Sequence, residues 1–377
     1  MMHNLAYSKK QVKRNLRPKL PDRYMGLLRM PYKTIRKPGS IKKHLNRLRY
    51  DRSVLRRSKI DFIPPIFVAT ITDNCNLRCP TCLYLLRDPD KFTPSYITAE
   101  KFRAALEKYK APKMAETVFL TGGEPLLHPE IEDLVSICKD HGLTVKISTN
   151  GVLIKNKISR LSRVDYINVS MDAYDYESYE KARGGAQAGF DSIMEGLGML
   201  RERDMNFSVS YLLSTGNIAA IDKMLELSER IKPRFVVFHN INPHGSKGYT
   251  PLTLQDENTR IFLAKMLERR NFPFDVRLPH IFDPESPSFR EAKCVQPWYY
   301  FCFNSDGDVS YCCHLSHGGN IGNIHKDYDF NTPKMVSFRE VVIKGDIQGS
   351  CLYCQRRFMG KEFARFSSKA KRWTIER

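Results

Sequence analysis

From about residue 64 to residue 240, short apolar runs alternate with longer stretches of helical periodicity. This alternation limits the possible folds more than any other feature of the sequence. Six runs read as strands: Ile66–Thr72, Thr117–Thr121, Leu143–Ser148, Asp165–Met171, Phe207–Leu213 and Arg234–His239. Each is rich in Val, Ile, Phe or Tyr and bounded by Gly, Asn, Asp or Pro. Between them, His128–His141 reads as a helix opened by Pro129, with Glu130, Glu132 and Asp133 at the positive end of its dipole. Its apolar stripe of Ile131, Leu134, Val135 and Cys138 places Cys138 in the core. Ile218, Ile221 and Leu225 mark a later helix. Repeated strand–helix units require a parallel sheet with functional loops at the C-terminal strand ends. Six units are too few for an eight-stranded barrel, so an α/β fold with an open, partial (β/α)6 barrel is expected. Past Asn271, proline-rich pieces and a turn at Ser305-Asp306-Gly307-Asp308 read as a smaller appended domain. The expected division is a basic extension over 1–60, the barrel over 61–275, and a cysteine-rich domain with a basic tail over 276–377.

The net charge of +20 sits at the two ends. Residues 1–60 hold 19 Lys and Arg against Asp22 and Asp51, and residues 355–377 hold 8 against Glu362 and Glu376. Such blocks bind RNA or an anionic membrane surface, or lie as solvated arms. Within Arg23 to Arg57, Leu27, Leu28, Met30, Ile35, Ile41, Leu45 and Leu48 suggest basic amphipathic helix, divided by Pro31, Pro38 and Gly39. The longest apolar stretch, Phe62 to Ile71, holds two prolines and is about half what a membrane span needs. No apolar run follows the basic start, so a secretory signal is not expected. The expected location is cytoplasmic, with peripheral membrane contact through residues 1–60 as a further expectation.

Ten cysteines in such a chain point to metal or redox chemistry. Cys75, Cys79 and Cys82 follow the first strand directly. Cys294, Cys302, Cys312 and Cys313 form a second group, and Cys351 and Cys354 a third. Three thiolates on one short loop suit a catalytic zinc with water as fourth ligand, or an iron–sulfur cluster with one open iron. Spacing alone leaves both open.

Cys75-Asn-Leu-Arg-Cys79-Pro-Thr-Cys82 after the first strand of a partial barrel resembles the radical S-adenosylmethionine enzymes. Thr121-Gly122-Gly123-Glu124-Pro125 ends the second strand as that family's GGEP motif does. Ser148-Thr149-Asn150-Gly151 ends the third and Ser170-Met171-Asp172 the fourth. The likeness covers roughly residues 64 to 240. It implies a [4Fe-4S] cluster on Cys75, Cys79 and Cys82, with S-adenosylmethionine on the open iron. It also implies that Glu124 and the Gly122–Gly123 backbone meet the amino group of S-adenosylmethionine. Glycine is expected there because no Cβ can stand between strand end and ligand. Ser148 and Asn150 would meet the carboxylate or ribose, with Ser170 and Asp172 next along the rim. Thr81 departs from the aromatic residue usual before the last cysteine, which bears on the adenine contact.

Cys294-Val-Gln-Pro-Trp298, the Asp-Gly turn, Cys312-Cys313, Ile321-Gly-Asn-Ile324 and Cys351-Leu-Tyr-Cys354 resemble the SPASM or twitch domains that follow some radical barrels. Cys294, Cys312, Cys351 and Cys354 would hold one auxiliary [4Fe-4S] cluster, with Cys313 as alternative to Cys312. A structural zinc is the alternative for this site. Cys302 reads as a buried thiol.

The family's chemistry is reductive cleavage of S-adenosylmethionine to a 5′-deoxyadenosyl radical that removes hydrogen from a substrate carbon, with flavodoxin or ferredoxin as one-electron reductant. Two substrates fit: a small molecule, such as a sugar or a lipid or polysaccharide precursor that is oxidised or epimerised, and a peptide or protein under maturation. Residues 1–60 do not read as a peptide-clasping winged helix, which favours the small molecule. A zinc-containing nucleic-acid-binding protein is the remaining alternative. At the strand ends, Tyr211, His239, Asn240 and His244 are candidates to touch substrate, or else ordinary packing and loop residues.

Overall fold

The first six strands of the chain lie side by side in sequence order: β1 Ile66–Thr72, β2 Thr117–Gly122, β3 Thr144–Thr149, β4 Tyr166–Ser170, β5 Phe207–Leu213 and β6 Phe235–Asn240. Every neighbouring pair is parallel. A computed structural model describes residues 40–82, 95–109, 114–242, 248–269, 271–290, 292–313, 320–347, 349–354 and 363–376. Residues 1–39 and His244 lie outside the described residues.

The sheet continues past both ends of this partial barrel. On one side β7 (Asp275–Arg277) adds parallel to β6, and the hairpin of β11 (Phe363–Ser367) and β12 (Arg372–Glu376) follows antiparallel. On the other side β8 (Tyr300–Phe303) adds parallel to β1, then β9 (Asp308–Ser310) and β10 (Gly322–Asn323). The C-terminal third therefore shares the barrel's hydrogen-bonded sheet instead of forming a detached layer. No local pattern foretells the β1–β8 pairing, because 234 residues separate Tyr300 from its register partner Ile66.

Strand alternation divides the side chains into two sets. Phe67, Ala69 and Ile71 on β1, Val145 and Ile147 on β3, Ile167 and Val169 on β4, and Val209 and Leu213 on β5 pack outward against the helices. The other parity lines the concave side: Val68, Phe119, Lys146, Tyr166, Ser208 and Phe235 deep in the lumen, and Ser148, Ser170, Ser210 and His239 nearer the C-terminal mouth. Cys138 is fully buried in the helix Ile131–Asp140, as its apolar stripe requires. That helix begins later than Pro129, since Glu130 turns its carboxylate to the backbone N–H of Ala99 (3.1 Å).

Part of the basic extension is docked. The helix Ser40–Ser53 sets Tyr50 against Phe62 and Tyr299, and buried Asn46 exchanges hydrogen bonds with the backbone of Ile63. Beyond it, the indole of Trp298 donates to Arg57 O, and buried Arg339 donates to Ser58 O and Phe330 O. No helix among the described residues is long and apolar enough to cross a membrane.

Candidate active site

Thr72 ends β1, and the chain turns at once into the loop carrying Cys75, Cys79 and Cys82. The GGEP segment holds this loop: Gly123 donates to Thr72 O (2.9 Å) and Glu124 to Asn74 O (2.7 Å). A Cβ on Gly122 would stand 2.2 Å from Thr72 O, and one on Gly123 2.3 Å from Asn74 O. The glycines are thus needed because backbone here lies directly against backbone. They let β2 lie against the segment that launches the cysteines.

Glu124 is fully buried, and its carboxylate accepts from Leu126 N (3.0 Å), Thr149 Oγ1 (2.7 Å) and Asn150 N (2.7 Å). Three of about four acceptor positions are therefore filled by the chain itself. Burial pushes the carboxyl up from its ordinary value, and the three hydrogen bonds oppose that shift. Glu124 ties the end of β2 to the end of β3. Asn150, held this way, aims its amide at Asn76 Oδ1 (2.8 Å) and to 4.0 Å from Cys75 Sγ. Ser148 and Ser170 face the lumen with hydroxyls that make no hydrogen bond among the described residues.

Arg183 enters the site without any signal in the sequence. It ends the helix Tyr176–Arg183 and pairs with Asp172 at 2.7 Å, each side chain 12% exposed. Asp172 adopts φ 54°, and its other oxygen accepts from Leu212 N at 2.6 Å. Burial would lower Arg183, but Asp172 and then Cys79 hold the guanidinium above its usual value. Its Nε is buried with no hydrogen-bond partner among the described residues. Cys79 is pushed up to about 11 by burial, with Arg183 opposing. Burial likewise raises Cys75. A basic residue before a helix-ending glycine is ordinary in sequence, so nothing there distinguishes Arg183.

The C-terminal cysteines also come together. Burial pushes Cys294 up to about 12, with Cys354, Cys351 and Cys313 adding to it. Burial also raises Cys312 well above its ordinary value, with Cys313, Cys302, Cys294 and Cys354 contributing. Buried thiols that raise one another need a cation to become thiolates, and iron fits that need in both groups. Among the described residues no three His, Cys, Asp or Glu side chains gather closely enough to hold a single metal ion. Cys302 is buried on the concave side beside Val68 and Tyr300, with Cys313 packed against them.

The substrate candidates separate. Tyr211 has the outward parity of β5, and its buried phenol donates to Met224 O (3.1 Å) and meets Ser228 Oγ (2.9 Å). That corrects its candidacy, because a side chain locked under a helix cannot reach the lumen. Tyr211→Phe is expected to cost about 0.5–1.5 kcal/mol in denaturant unfolding and leave S-adenosylmethionine cleavage unchanged. Buried Asn240 is likewise occupied, bridging Leu252 N, Leu252 O and His280 O. His239 faces the concave mouth and is exposed.

A family model described as the radical SAM superfamily matches residues 69–228, and one described as an iron–sulfur cluster-binding domain, SPASM, matches 294–355. The chain is 25% identical over 222 residues to Fe-coproporphyrin III synthase of Methanosarcina barkeri, covering 56% of this chain and 54% of the relative. It is 24% identical over 264 residues to GTP 3′,8-cyclase of Photorhabdus laumondii, covering 68% and 70%. The chain thus spans about half the length of the first of these relatives. Streptococcus suis SuiB bound to S-adenosylmethionine has the same fold, with TM-score 0.61 at 16% identity over 93% of this chain and 82% of that one. So does anSMEcpe with bound AdoMet and the Cp18Cys peptide, with TM-score 0.55 at 18% identity over 77% and 86%. The chain therefore carries a radical S-adenosylmethionine domain over residues 69–228 and a SPASM-type iron–sulfur cluster-binding domain behind it over 294–355.

Proposed function

We propose that this enzyme modifies a peptide or protein substrate in the barrel lumen. The observation that carries the reading is the extent of the likeness to SuiB, which runs through barrel and C-terminal domain alike. SuiB has also been solved bound to its precursor peptide SuiA. The small-molecule reading drew on residues 1–60, of which 1–39 lie outside the described residues and so lend it no structural support. GTP 3′,8-cyclase, matched over 68% of this chain, keeps it as the second reading.

The cofactor, when bound, supplies one-electron cleavage of S-adenosylmethionine and with it hydrogen removal from carbon. The chain's own part is placement. Cys75, Cys79 and Cys82 would hold the first cluster after giving up their thiol protons. Asn150, Ser148 and Ser170 offer polar groups at the strand ends, and the unpartnered Nε of Arg183 suits a carboxylate. The Glu124 hydrogen bonds keep Asn150 aimed at the cysteine loop. Cys294, Cys312, Cys351 and Cys354 would hold the auxiliary cluster, with Cys313 as alternative. The lumen walls keep water from the reacting carbon.

Anaerobically reconstituted protein, given S-adenosylmethionine, reduced flavodoxin or ferredoxin, and a random peptide library, tests the reading by mass spectrometry. Peptides that lose two hydrogens or otherwise change mass in step with 5′-deoxyadenosine are expected. An unmodified library, alongside turnover of a sugar or nucleotide, would shift the assignment to small molecules.

A further inference from the structure

Lys146 lies on β3 with its side chain on the concave side, and none of the roles above uses it. Its ammonium stands 5.1 Å from the ring centre of Phe119 on β2 and 5.7 Å from that of Tyr166 on β4. It has no ion pair and no hydrogen bond among the described residues. Such a lysine loses hydration without gaining a counter-charge, and two ring faces replace only part of what is lost.

Among the described residues, no acidic group counteracts the burial of Lys146. Arg234 and Arg277 both act on the Tyr166 hydroxyl, and Arg365 sits 5.1 Å from the ring centre of Phe235. Asp275 on β7 is occupied by Arg365 (2.8 Å) and by the N–H and hydroxyl of Ser368 (2.8 Å each). Burial lowers Lys146 from its ordinary value. This part of the lumen carries excess positive charge.

Its position also suits a substrate. At a strand rise of about 3.3 Å per residue, the Cα of Lys146 lies about 13 Å along β3 from Asn150, which touches the cysteine loop. On the other side, Phe119 belongs to the packed group of Val68, Tyr300 and Cys302 against which Cys313 rests. Between Lys146 and the mouth, the concave face carries the polar side chains of Ser148, Asn168, Ser170 and Ser210, with Asn168 hydrogen-bonded to Ser208 and Ser210.

We propose that Lys146 anchors an anionic group of the substrate, a carboxylate or a phosphate, at the deep end of the lumen between the two cysteine sets. This deepens the peptide reading by requiring an acidic side chain, a chain terminus or a phosphorylated residue in the peptide. Its test needs no turnover, so the two fail separately.

Pyridoxal 5′-phosphate combines an aldehyde with an anion. Its aldehyde condenses with a neutral amine with loss of water, and borohydride then delivers hydride to fix the product as a secondary amine. Applied to the reconstituted full-length protein, with mass spectrometry to locate the label, it should modify Lys146 faster than exposed Lys223. Pyridoxal, which lacks the phosphate, should lose that preference. Glutarate and inorganic phosphate are the competitors that distinguish the two sources. The matching one, at about ten times its Kd, should slow labelling about tenfold by simple occupancy. Equal labelling of Lys146 and Lys223, no difference between the two aldehydes, or no protection by either anion would each overturn the proposal.

Discussion

Reconstituted protein in which Cys75, Cys79 and Cys82 are all replaced by Ala is expected to release no 5′-deoxyadenosine under strong reductant. In the proposed ligand set these three thiols leave one iron open to S-adenosylmethionine, on the loop that Gly123 and Glu124 hold by their hydrogen bonds to Thr72 O and Asn74 O. About four irons per chain should disappear with them, the content of one cubane cluster. The auxiliary iron should remain, because Cys294, Cys312, Cys351 and Cys354 belong to a different part of the chain. Undiminished 5′-deoxyadenosine from the triple variant would remove this loop from the chemistry.

Arg183→Leu is expected to destabilise the protein by about 3–5 kcal/mol, the range for removing one partner of a buried ion pair. Asp172 would keep its hydrogen bond from Leu212 N but lose the neutralising charge at 2.7 Å. Asp172→Asn should be milder, since Asn tolerates the positive φ and can still accept from Leu212 N. Combining the two removes the stranded charge, so the double variant should recover part of the loss. Urea unfolding of the four proteins measures this. A midpoint for Arg183→Leu indistinguishable from wild type would mean that the pair contributes no stability.

The parallel order of β1 to β6, the loop at Cys75–Cys82 and the buried place of Cys138 follow from local periodicity and spacing, and those were legible in the sequence. The role of Gly122 and Gly123 was not, because it depends on how closely β2 approaches residues 72–74. Tyr211 was partly legible: Ser208 and Ser210 mark the concave parity of β5, and Tyr211 has the other. Arg183 and Lys146 were invisible, since each matters only through what the fold sets beside it. A lysine in a strand reads as solvent-facing until the strands on both sides present Phe119 and Tyr166 to it. The helix Ser40–Ser53 lies within the stretch read as basic amphipathic helix, but its docking was not legible, because its contacts with Phe62 and Tyr299 depend on the folded chain.

The most direct measurement is iron, acid-labile sulfide and zinc per chain in anaerobically purified full-length protein. Two cubane clusters require about eight irons and about eight sulfides, with no stoichiometric zinc. About four irons with one zinc would make the C-terminal cysteines a zinc site. Zinc alone, with no labile sulfide, would contradict the assignment of both cysteine sets.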